Sequence, residues 1–341
     1  MRDTRLSALA RAARQARAGE FGTAWRALPG GLRDLARRAG RGLEQGLARL
    51  RGRPRGPVPE VAEPSRGRFL SESFAGPTGQ RAYRLYVPSG YRGRPVPLVV
   101  MLHGCTQSPE DFSAGTGMNR VAEAETFLVA YPAQTKAANQ ARCWNWYSRA
   151  DQGRESGETG VIAGITRAVM AAYAVDPRRV AIAGLSAGGA AAANVAAAYP
   201  DLFAALGVHS GLCAFAARDL PGALSAMRQG AAGTPSGAPV PTIVFHGDRD
   251  TTVNPRNGEA VIAATGGRLI RREDGQAPGG RAYARSLYAD AAGQPSFEHW
   301  VIHGSGHAWS GGDPAGSYTD PAGPDAAREM WRFFKEHPRR R

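Results

Sequence analysis

Short apolar runs alternate with longer amphipathic segments from about residue 68 to the end of the chain. Five runs have the length of a β-strand and a mostly apolar interior: 97–104 (PLVVMLHG), 126–132 (TFLVAYP), 179–186 (RVAIAGLS), 204–211 (AALGVHSG) and 241–247 (PTIVFHG). Continuous runs of this kind are typical of strands that are buried on both faces of a sheet. The segment 81–88 (RAYRLYVP) alternates polar and apolar residues, which indicates an outer strand.

Segments with helical periodicity separate these runs. The pattern predicts helices over 117–125, 157–174, 187–199 and 325–337. The segment 281–304 has two alternating runs about a Gly-containing turn, which predicts a hairpin at the edge of the sheet. Strands that alternate with helices in this way imply the α/β fold class, a mostly parallel sheet with helices on both faces.

The amino-terminal part of the chain has a different pattern. Residues 1–50 carry short amphipathic stripes between arginines, which predicts a basic helical extension. Residues 51–67 are rich in Pro, Gly and charge, which predicts a linker. Residues 68–341 would then form the main domain.

Most of the net charge of +14 belongs to this extension. Residues 1–57 contain fourteen arginines and four acidic residues, a net charge of +10. The extension could contact an anionic surface such as a membrane or a granule. Nucleic acid would be another partner for such a segment, but a solvated helix explains the arginines more simply, so we do not expect nucleic-acid binding.

Targeting signals and cysteines bear on the compartment. No apolar stretch is long enough to span a bilayer, and the amino end lacks the apolar core of a secretory signal, so we expect a cytoplasmic protein. Cys105, Cys143 and Cys213 are too few and too odd in number for a disulfide framework, and they match no zinc spacing. We therefore expect reduced thiols, with a single Cys105–Cys143 bridge as the alternative.

The sequence GLSAG at 184–188 lies between a predicted strand and an alanine-rich predicted helix. In this context G-x-S-x-G forms a sharp turn that exposes a nucleophilic serine, here Ser186. Gly184 and Gly188 fit because a side chain at either position would collide within such a turn. The plain alternative is a tight turn without chemistry, but the strand-turn-helix setting favours a nucleophile.

A serine hydroxyl needs a base and an acid that orients the base. These partners follow the serine in the chain order Ser, Asp or Glu, His in this type of fold. The strand ending at residue 247 runs into Asp248 and Asp250, and the last strand runs into a Gly-rich loop with His307. We predict Asp250 as the acid, because it lies further into its loop, and His307 as the base.

Two backbone N–H groups should stabilise the oxyanion. One belongs to Ala187, directly after the nucleophile. The other should come from the loop after the strand at 97–104, which indicates the N–H of Cys105, with Thr106 or Gln107 as secondary candidates.

Aromatic residues near the predicted site are candidates for contacts with the substrate. They are Trp144, Trp146 and Tyr147, in the sequence CWNWYS, and Trp309, two residues after His307. For the first three, completion of the core is an equally good interpretation. The segment 212–240 stands where a cap is often inserted, and we expect it to border the pocket.

Several motifs together carry a family resemblance. They are YRLYVPSGY, LHGCTQSPEDF, FLVAYPAQ, CWNWY, GLSAGG, YPDLFAALGVHSG, HGDRDTTVNP and HGSGHAWSGG. Over about residues 69–336 the chain resembles the polyhydroxybutyrate depolymerase-type esterases, α/β-hydrolases related to feruloyl and acetylxylan esterases. The resemblance implies an α/β-hydrolase fold, serine esterase activity with Ser186, Asp250 and His307 as the triad, and no metal or organic cofactor.

The expected substrate is a short-chain or hydroxyalkanoate-type ester. The sequence lacks the signal and the substrate-binding domains of secreted polymer-degrading members, so we expect a soluble ester, an oligomer or an amorphous granule rather than crystalline polymer. Secreted relatives make an extracellular location the alternative. A feruloyl or acetylxylan esterase is the second interpretation of the function, and a non-catalytic protein that binds a granule or membrane surface is the third.

Overall fold

The computed structural model describes residues 67–231 and 239–339. A ten-stranded sheet runs through this part of the chain, in the order β1-β2-β4-β3-β5-β6-β7-β10-β9-β8. The strands are β1 (Arg68–Gly76), β2 (Gly79–Val87), β3 (Val96–Leu102), β4 (Leu128–Pro132), β5 (Val175–Leu185), β6 (Ala205–His209), β7 (Thr242–Gly247), β8 (Arg268–Gln276), β9 (Ala282–Ala289) and β10 (Pro295–Ile302). Two short strands, β11 (Trp309–Ser310) and β12 (Thr319–Asp320), pair separately.

The middle of the sheet is parallel. Strands β4, β3, β5, β6, β7 and β10 pair in parallel, whereas β1, β2, β8 and β9 join the two sides in antiparallel pairs. The carboxyl ends of β3, β5, β6, β7 and β10 therefore lie at one edge of the sheet. In open parallel sheets, ligands bind at this edge.

Helices cover both faces of the sheet. Their bounds are α1 (Pro109–Thr116), α2 (Met118–Glu125), α3 (Gly157–Ala172), α4 (Ala187–Ala198), α5 (Leu220–Gln229), α6 (Arg256–Ala263) and α7 (Ala326–Glu336). One apolar core includes side chains of α3, α4, α5 and α6, and a second includes side chains of α1, α2 and α7. Alternate residues of β3 divide between them, since Val100 faces the first core and Met101 the second.

These observations confirm the predicted α/β class with helices on both faces. The hairpin predicted over 281–304 is also confirmed as β9 and β10, but its place at the edge is wrong, because β8 pairs outside β9. The pattern missed β8 because its sequence, RLIRREDGQ, neither alternates nor forms a continuous apolar run, and seven of its nine residues are exposed. It also missed β1, of whose nine residues five are exposed and none is buried.

Some predictions concern residues outside the described part. The helical extension at 1–50 and all but the last residue of the linker at 51–67 lie there. Of the proposed cap, 212–231 is described and 232–238 is not. Its helix α5 packs on the start of α6, where Asn257 Nδ2 donates to the Ala226 carbonyl over 3.0 Å. That the cap borders the pocket stays a prediction.

Candidate active site

Ser186 occupies the turn between β5 and α4, at the carboxyl edge of the sheet. Its backbone has φ 58° and ψ −121°, in a region that non-glycine residues rarely adopt. The surrounding structure fixes this conformation, because the Ser186 N–H donates to the carbonyl of His209 over 2.9 Å. Within residues 67–231 and 239–339, the Ser186 hydroxyl makes no hydrogen bond to His307 or to any other protein group.

The glycines around Ser186 are required by close backbone contacts. A Cβ on Gly188 would overlap the carbonyl oxygens of Leu102 and His103, and a Cβ on Gly184 would overlap the backbone of Gly188. The following helix is buried between the sheet and α3, and its run of alanines permits that close approach. The turn therefore packs against the end of β3, where residues 103–108 begin, the loop predicted to donate to the oxyanion and called the oxyanion loop below.

The loops after β7 and β10 bring an acid and an imidazole together. His307 Nδ1 lies 2.7 Å from Asp250 Oδ2, and the carboxylate is buried while the histidine side chain is 9% exposed. The other oxygen, Asp250 Oδ1, accepts the N–H groups of Thr252 and Val253, each over 2.9 Å. With both oxygens held, the carboxylate can fix the orientation and the tautomer of the imidazole.

The charge of Asp250 is stabilised by its neighbours. Burial alone would raise the pKa of this carboxyl, but the histidines His246 and His307 together hold it well below its ordinary value. His246 Nε2 lies 3.4 Å from Asp250 Oδ2 and 2.9 Å from the Val253 carbonyl oxygen. His246 lies near the end of β7, and no local pattern in the sequence indicates its contact with Asp250.

Asp248 has a different partner. Its carboxylate binds His303 Nδ1 over 2.9 Å and accepts the Gly304 N–H over 2.7 Å, and the side chains of His303 and Asp248 are 43% and 38% exposed. The structure thus brings Asp250, not Asp248, against His307. The Asp248–His303 pair instead ties the loop after β7 to the loop after β10.

The candidate oxyanion donors differ in whether their N–H groups are already bonded. Thr106 N–H donates to the Ala141 carbonyl over 2.6 Å, and Gln107 N–H donates to the Gly104 carbonyl over 3.4 Å. The N–H groups of Cys105 and Ala187 make no hydrogen bond within the described part of the chain. A Cβ on Gly104 would lie 3.6 Å from Ser186 Cβ, so this loop reaches the serine.

The side chain of Gln107 holds the loop in place. Its Oε1 accepts the Gly104 N–H over 2.9 Å, and its Nε2 donates to Asp111 over 2.9 Å. Asp111 in turn accepts the Ser317 N–H over 2.9 Å, so a buried amide links the loop to a distant segment. The sequence predicted a role only for the backbone N–H of Gln107. No local pattern indicates this role of its side chain, because the contact with Ser317 spans 210 residues.

The prediction of three reduced thiols is wrong for two of them. Cys105 and Cys143 form a disulfide, the alternative left open by the sequence, and Cys213 is a buried free thiol whose pKa burial raises to about 11. The two bonded residues are brought together because the segment around Cys143 lies along the oxyanion loop, where Ala141 accepts the Thr106 N–H. A sulfur in a disulfide is not a thiolate, so Cys105 cannot act as a nucleophile in this form.

The four candidate aromatic residues do not gather at the mouth of the site. Trp144 and Trp309 are fully buried, and Trp146 is 5% exposed. Trp144 Nε1 donates to the His103 carbonyl over 3.1 Å, so this ring supports the end of β3 from within the core. Only Tyr147 is partly exposed, and its ring packs edge-on against Trp146.

Trp309 lies in the loop that carries His307, and its ring packs into the core. Its ring stacks on the imidazole of His209 at a centroid distance of 4.9 Å. Burial lowers the pKa of His209 well below its ordinary value, and the nearby His246 and His307 lower it further. The turn with Ser186 and the loops with Asp250 and His307 therefore all lie close to a neutral His209, whose Nε2 accepts the Ser310 N–H over 2.9 Å.

Among residues 67–231 and 239–339, no group of three or more His, Cys, Asp or Glu side chains could hold a metal ion. In the same ranges, every helix is too short or too polar to cross a membrane.

A strand, a serine turn and a helix at the centre of a mostly parallel sheet place the protein among the α/β-hydrolases. Its fold is similar to that of an acetyl xylan esterase from Aspergillus awamori, with a TM-score of 0.64 and 21% identity over 79% of this chain and 99% of that one. Residues 81–264 match the sequence profile described as esterase PHB depolymerase. The chain belongs to this family, which confirms the resemblance noted in the sequence.

Two relatives illustrate the range of the family. Poly(3-hydroxyalkanoate) depolymerase C of Paucimonas lemoignei is 32% identical over 237 residues, which are 65% of this chain and 57% of that protein. Acetylxylan esterase A of Aspergillus oryzae is 28% identical over 203 residues, which are 54% of this chain and 64% of that protein. The chain therefore spans less than two thirds of the length of each relative.

Proposed function

We propose that the protein hydrolyses carboxylic esters through an acyl-enzyme on Ser186. The observation that carries the proposal is the 2.7 Å contact between His307 Nδ1 and Asp250 Oδ2, made by loops that end at the same sheet edge as the serine turn. Membership of an esterase family supports the same chemistry.

In the acylation step, the Ser186 oxygen attacks the ester carbonyl carbon. His307 Nε2 takes the hydroxyl proton, and Asp250 stabilises the resulting imidazolium through Nδ1–H. The carbonyl oxygen becomes an oxyanion that accepts the N–H groups of Cys105 and Ala187, and the amino end of α4 favours the same negative charge. When the C–O bond to the alcohol breaks, the imidazolium returns its proton to the leaving oxygen.

Deacylation repeats these steps with water. His307 takes a proton from water as the oxygen attacks the acyl carbon, and the same two N–H groups hold the second oxyanion. Collapse of this intermediate releases the carboxylic acid, and the proton returns to Ser186. No protein group is consumed, and the reaction requires no metal ion or organic cofactor.

For the substrate, we propose short-chain or hydroxyalkanoate-type esters. The similarity to a poly(3-hydroxyalkanoate) depolymerase supports this class. The similarity to an acetylxylan esterase supports acetylated carbohydrate as the second candidate.

A substrate panel tests both candidates. It would contain p-nitrophenyl esters of increasing acyl length, hydroxybutyrate oligomers and polymer, methyl ferulate and acetylated xylan. The Ser186→Ala variant is the control in each assay. Hydrolysis of at least one ester by the full chain, absent in the variant, is the expected result. If the full chain is inactive on every ester, the proposal fails and a non-catalytic binding role takes its place.

A further inference from the structure

Two strained residues meet beside the oxyanion loop. Thr106 has φ 68° and Tyr318 has φ 53°, and both conformations lie in the left-handed region that β-branched and bulky residues avoid. Their side chains are hydrogen-bonded to each other, with 3.2 Å between Thr106 Oγ1 and Tyr318 Oη, across 212 residues of sequence. Strained residues concentrate at functional sites, because the rest of the structure must hold them there.

The structure holds each residue through its backbone. Thr106 N–H donates to the Ala141 carbonyl over 2.6 Å, and the carbonyl of Tyr318 accepts the Trp309 N–H over 2.7 Å. Behind the pair, the buried Gln107 donates to the Ser317 carbonyl over 3.2 Å. Two contacts therefore hold the segment around Tyr318 against the oxyanion loop. One is the contact of the buried Gln107 with Ser317, and the other is the exposed contact between Thr106 and Tyr318.

The position of the pair relative to the proposed chemistry follows from the chain. Thr106 directly follows Cys105, whose N–H we assign to the oxyanion, and its side chain is exposed. Gly104, on the other side of Cys105, approaches the serine, because a Cβ on it would lie 3.6 Å from Ser186 Cβ, so the pair stands two residues from the point where this loop meets Ser186.

The number of protons on the two hydroxyls determines which one donates and which one accepts. Thr106 Oγ1 donates its one proton to the Cys105 carbonyl over 2.6 Å, so it can only accept from Tyr318. Tyr318 thus donates its own proton to Thr106, and its oxygen keeps lone pairs but has no proton to offer. The exposed edge of the pair is an acceptor, which matches a hydroxyl donor rather than a carbonyl.

We propose that Thr106 and Tyr318 are specificity-determining residues that accept a hydrogen bond from a free hydroxyl of the substrate near its reacting carbonyl. The class of substrate is an ester with a hydroxyl on its acyl or its alcohol part. The proposal rests on the ester hydrolysis proposed above and refines the selectivity of the same site.

Matched substrate pairs test the proposal. The acyl pair is p-nitrophenyl 3-hydroxybutyrate and p-nitrophenyl butyrate, and the alcohol pair is 2-hydroxyethyl butyrate and propyl butyrate. The variants are Tyr318→Phe and Thr106→Val, which remove a hydroxyl with little change of shape. Tyr288→Phe, on β9, is the control for loss of a tyrosine hydroxyl elsewhere.

In at least one pair, we expect kcat/KM for the hydroxylated ester to fall about tenfold in both variants while its partner changes less than twofold. Tyr288→Phe should leave both ratios unchanged. Equal loss on both members of each pair, or no loss on either, would overturn the proposal. If Ser186→Ala retained activity, the failure would lie in the proposed function instead.

Discussion

His307 and Asp250 lie 57 residues apart in the chain, yet His307 Nδ1 is 2.7 Å from Asp250 Oδ2. The same carboxylate is also bound to its own loop, because Asp250 Oδ1 accepts the backbone N–H groups of Thr252 and Val253. The contact therefore joins two loops through a rigid acid. Its removal should affect the chemistry more than the fold.

The first prediction concerns the charge of this acid. In Asp250→Asn, the amide oxygen can keep the two backbone N–H bonds, but the NH2 group then faces His307 and favours the wrong tautomer. We expect kcat on p-nitrophenyl butyrate to fall roughly 10³- to 10⁴-fold. Asp248→Asn is the matched control and should reduce kcat less than about threefold, because Asp248 contacts His303 instead. Equal losses in both variants would contradict the assignment.

The second prediction concerns the support of the oxyanion loop. Gln107→Met removes the acceptor of the buried Gly104 N–H and the donor to Asp111. Loss of these contacts should displace the neighbouring Cys105 N–H, which stabilises the oxyanion in the transition state. We therefore expect kcat to fall about tenfold, with KM changed less than twofold. Gln80→Met, the same change on an exposed position of β2, should have no effect. A change confined to KM would show that Gln107 acts on substrate binding.

The third prediction concerns the serine turn. A Cβ at position 188 would overlap the backbone carbonyls of Leu102 and His103, and a shift of this backbone would disrupt the end of β3. Gly188→Ala should therefore lower the free energy of unfolding by several kcal/mol, about 3 or more, or prevent folding. Gly306→Ala, where a Cβ meets nothing within 4 Å, is the matched control in urea unfolding. Similar stability of the two variants would be inconsistent with the crowded turn.

The fourth prediction concerns acid stability. Burial lowers the pKa of His103 to about 4 and of His299 to about 3, and it lowers that of His209 well below its ordinary value. Between pH 5 and 6 the unfolded chain protonates these three side chains and the folded chain does not. Burial has the opposite effect on Glu158, whose pKa it raises to about 7, so the folded chain keeps one proton there that the unfolded chain loses.

Unfolding in this range should take up about two protons net. The free energy of unfolding should therefore rise by roughly 3 kcal/mol as the pH increases from 5 to 6. Urea unfolding at several pH values measures this slope, and His103→Gln should reduce it by about one proton. A slope of zero, or a decrease in stability with rising pH, would refute the prediction.

The sequence predicted the central fold well, and the reason is burial. Strands β3 to β7 are covered on both faces, so their apolar runs are continuous and can be recognised without knowledge of their partners. Strands β1 and β8 instead face solvent over much of their length. They are extended because they pair with β2 and β9, so their own residues give little indication of a strand.

The candidate site was predictable where chain order determines the chemistry. Ser186, Asp250 and His307 each follow a strand that ends at the same sheet edge, so each could be located from local patterns. The partners that hold them were not predictable. Gln107 contacts residues more than 200 positions away, and the Cys105–Cys143 bond depends on where the loop after β4 lies.

The aromatic residues show the same limit. Trp144 and Trp309 lie next to site residues in the sequence, but their rings turn into the core. Proximity along the chain does not fix which side of a loop a side chain occupies. Tyr318, which lacks any motif of its own, lies beside the oxyanion loop instead.

The central claim is that Ser186 forms the covalent intermediate. The most direct test is peptide mapping by mass spectrometry after treatment with an organophosphonate ester that modifies activated serines. We predict a single adduct on Ser186, with hydrolysis of p-nitrophenyl butyrate lost in proportion to its occupancy. Full activity with Ser186 completely modified, or an adduct that forms only at another residue while activity is lost, would contradict the account.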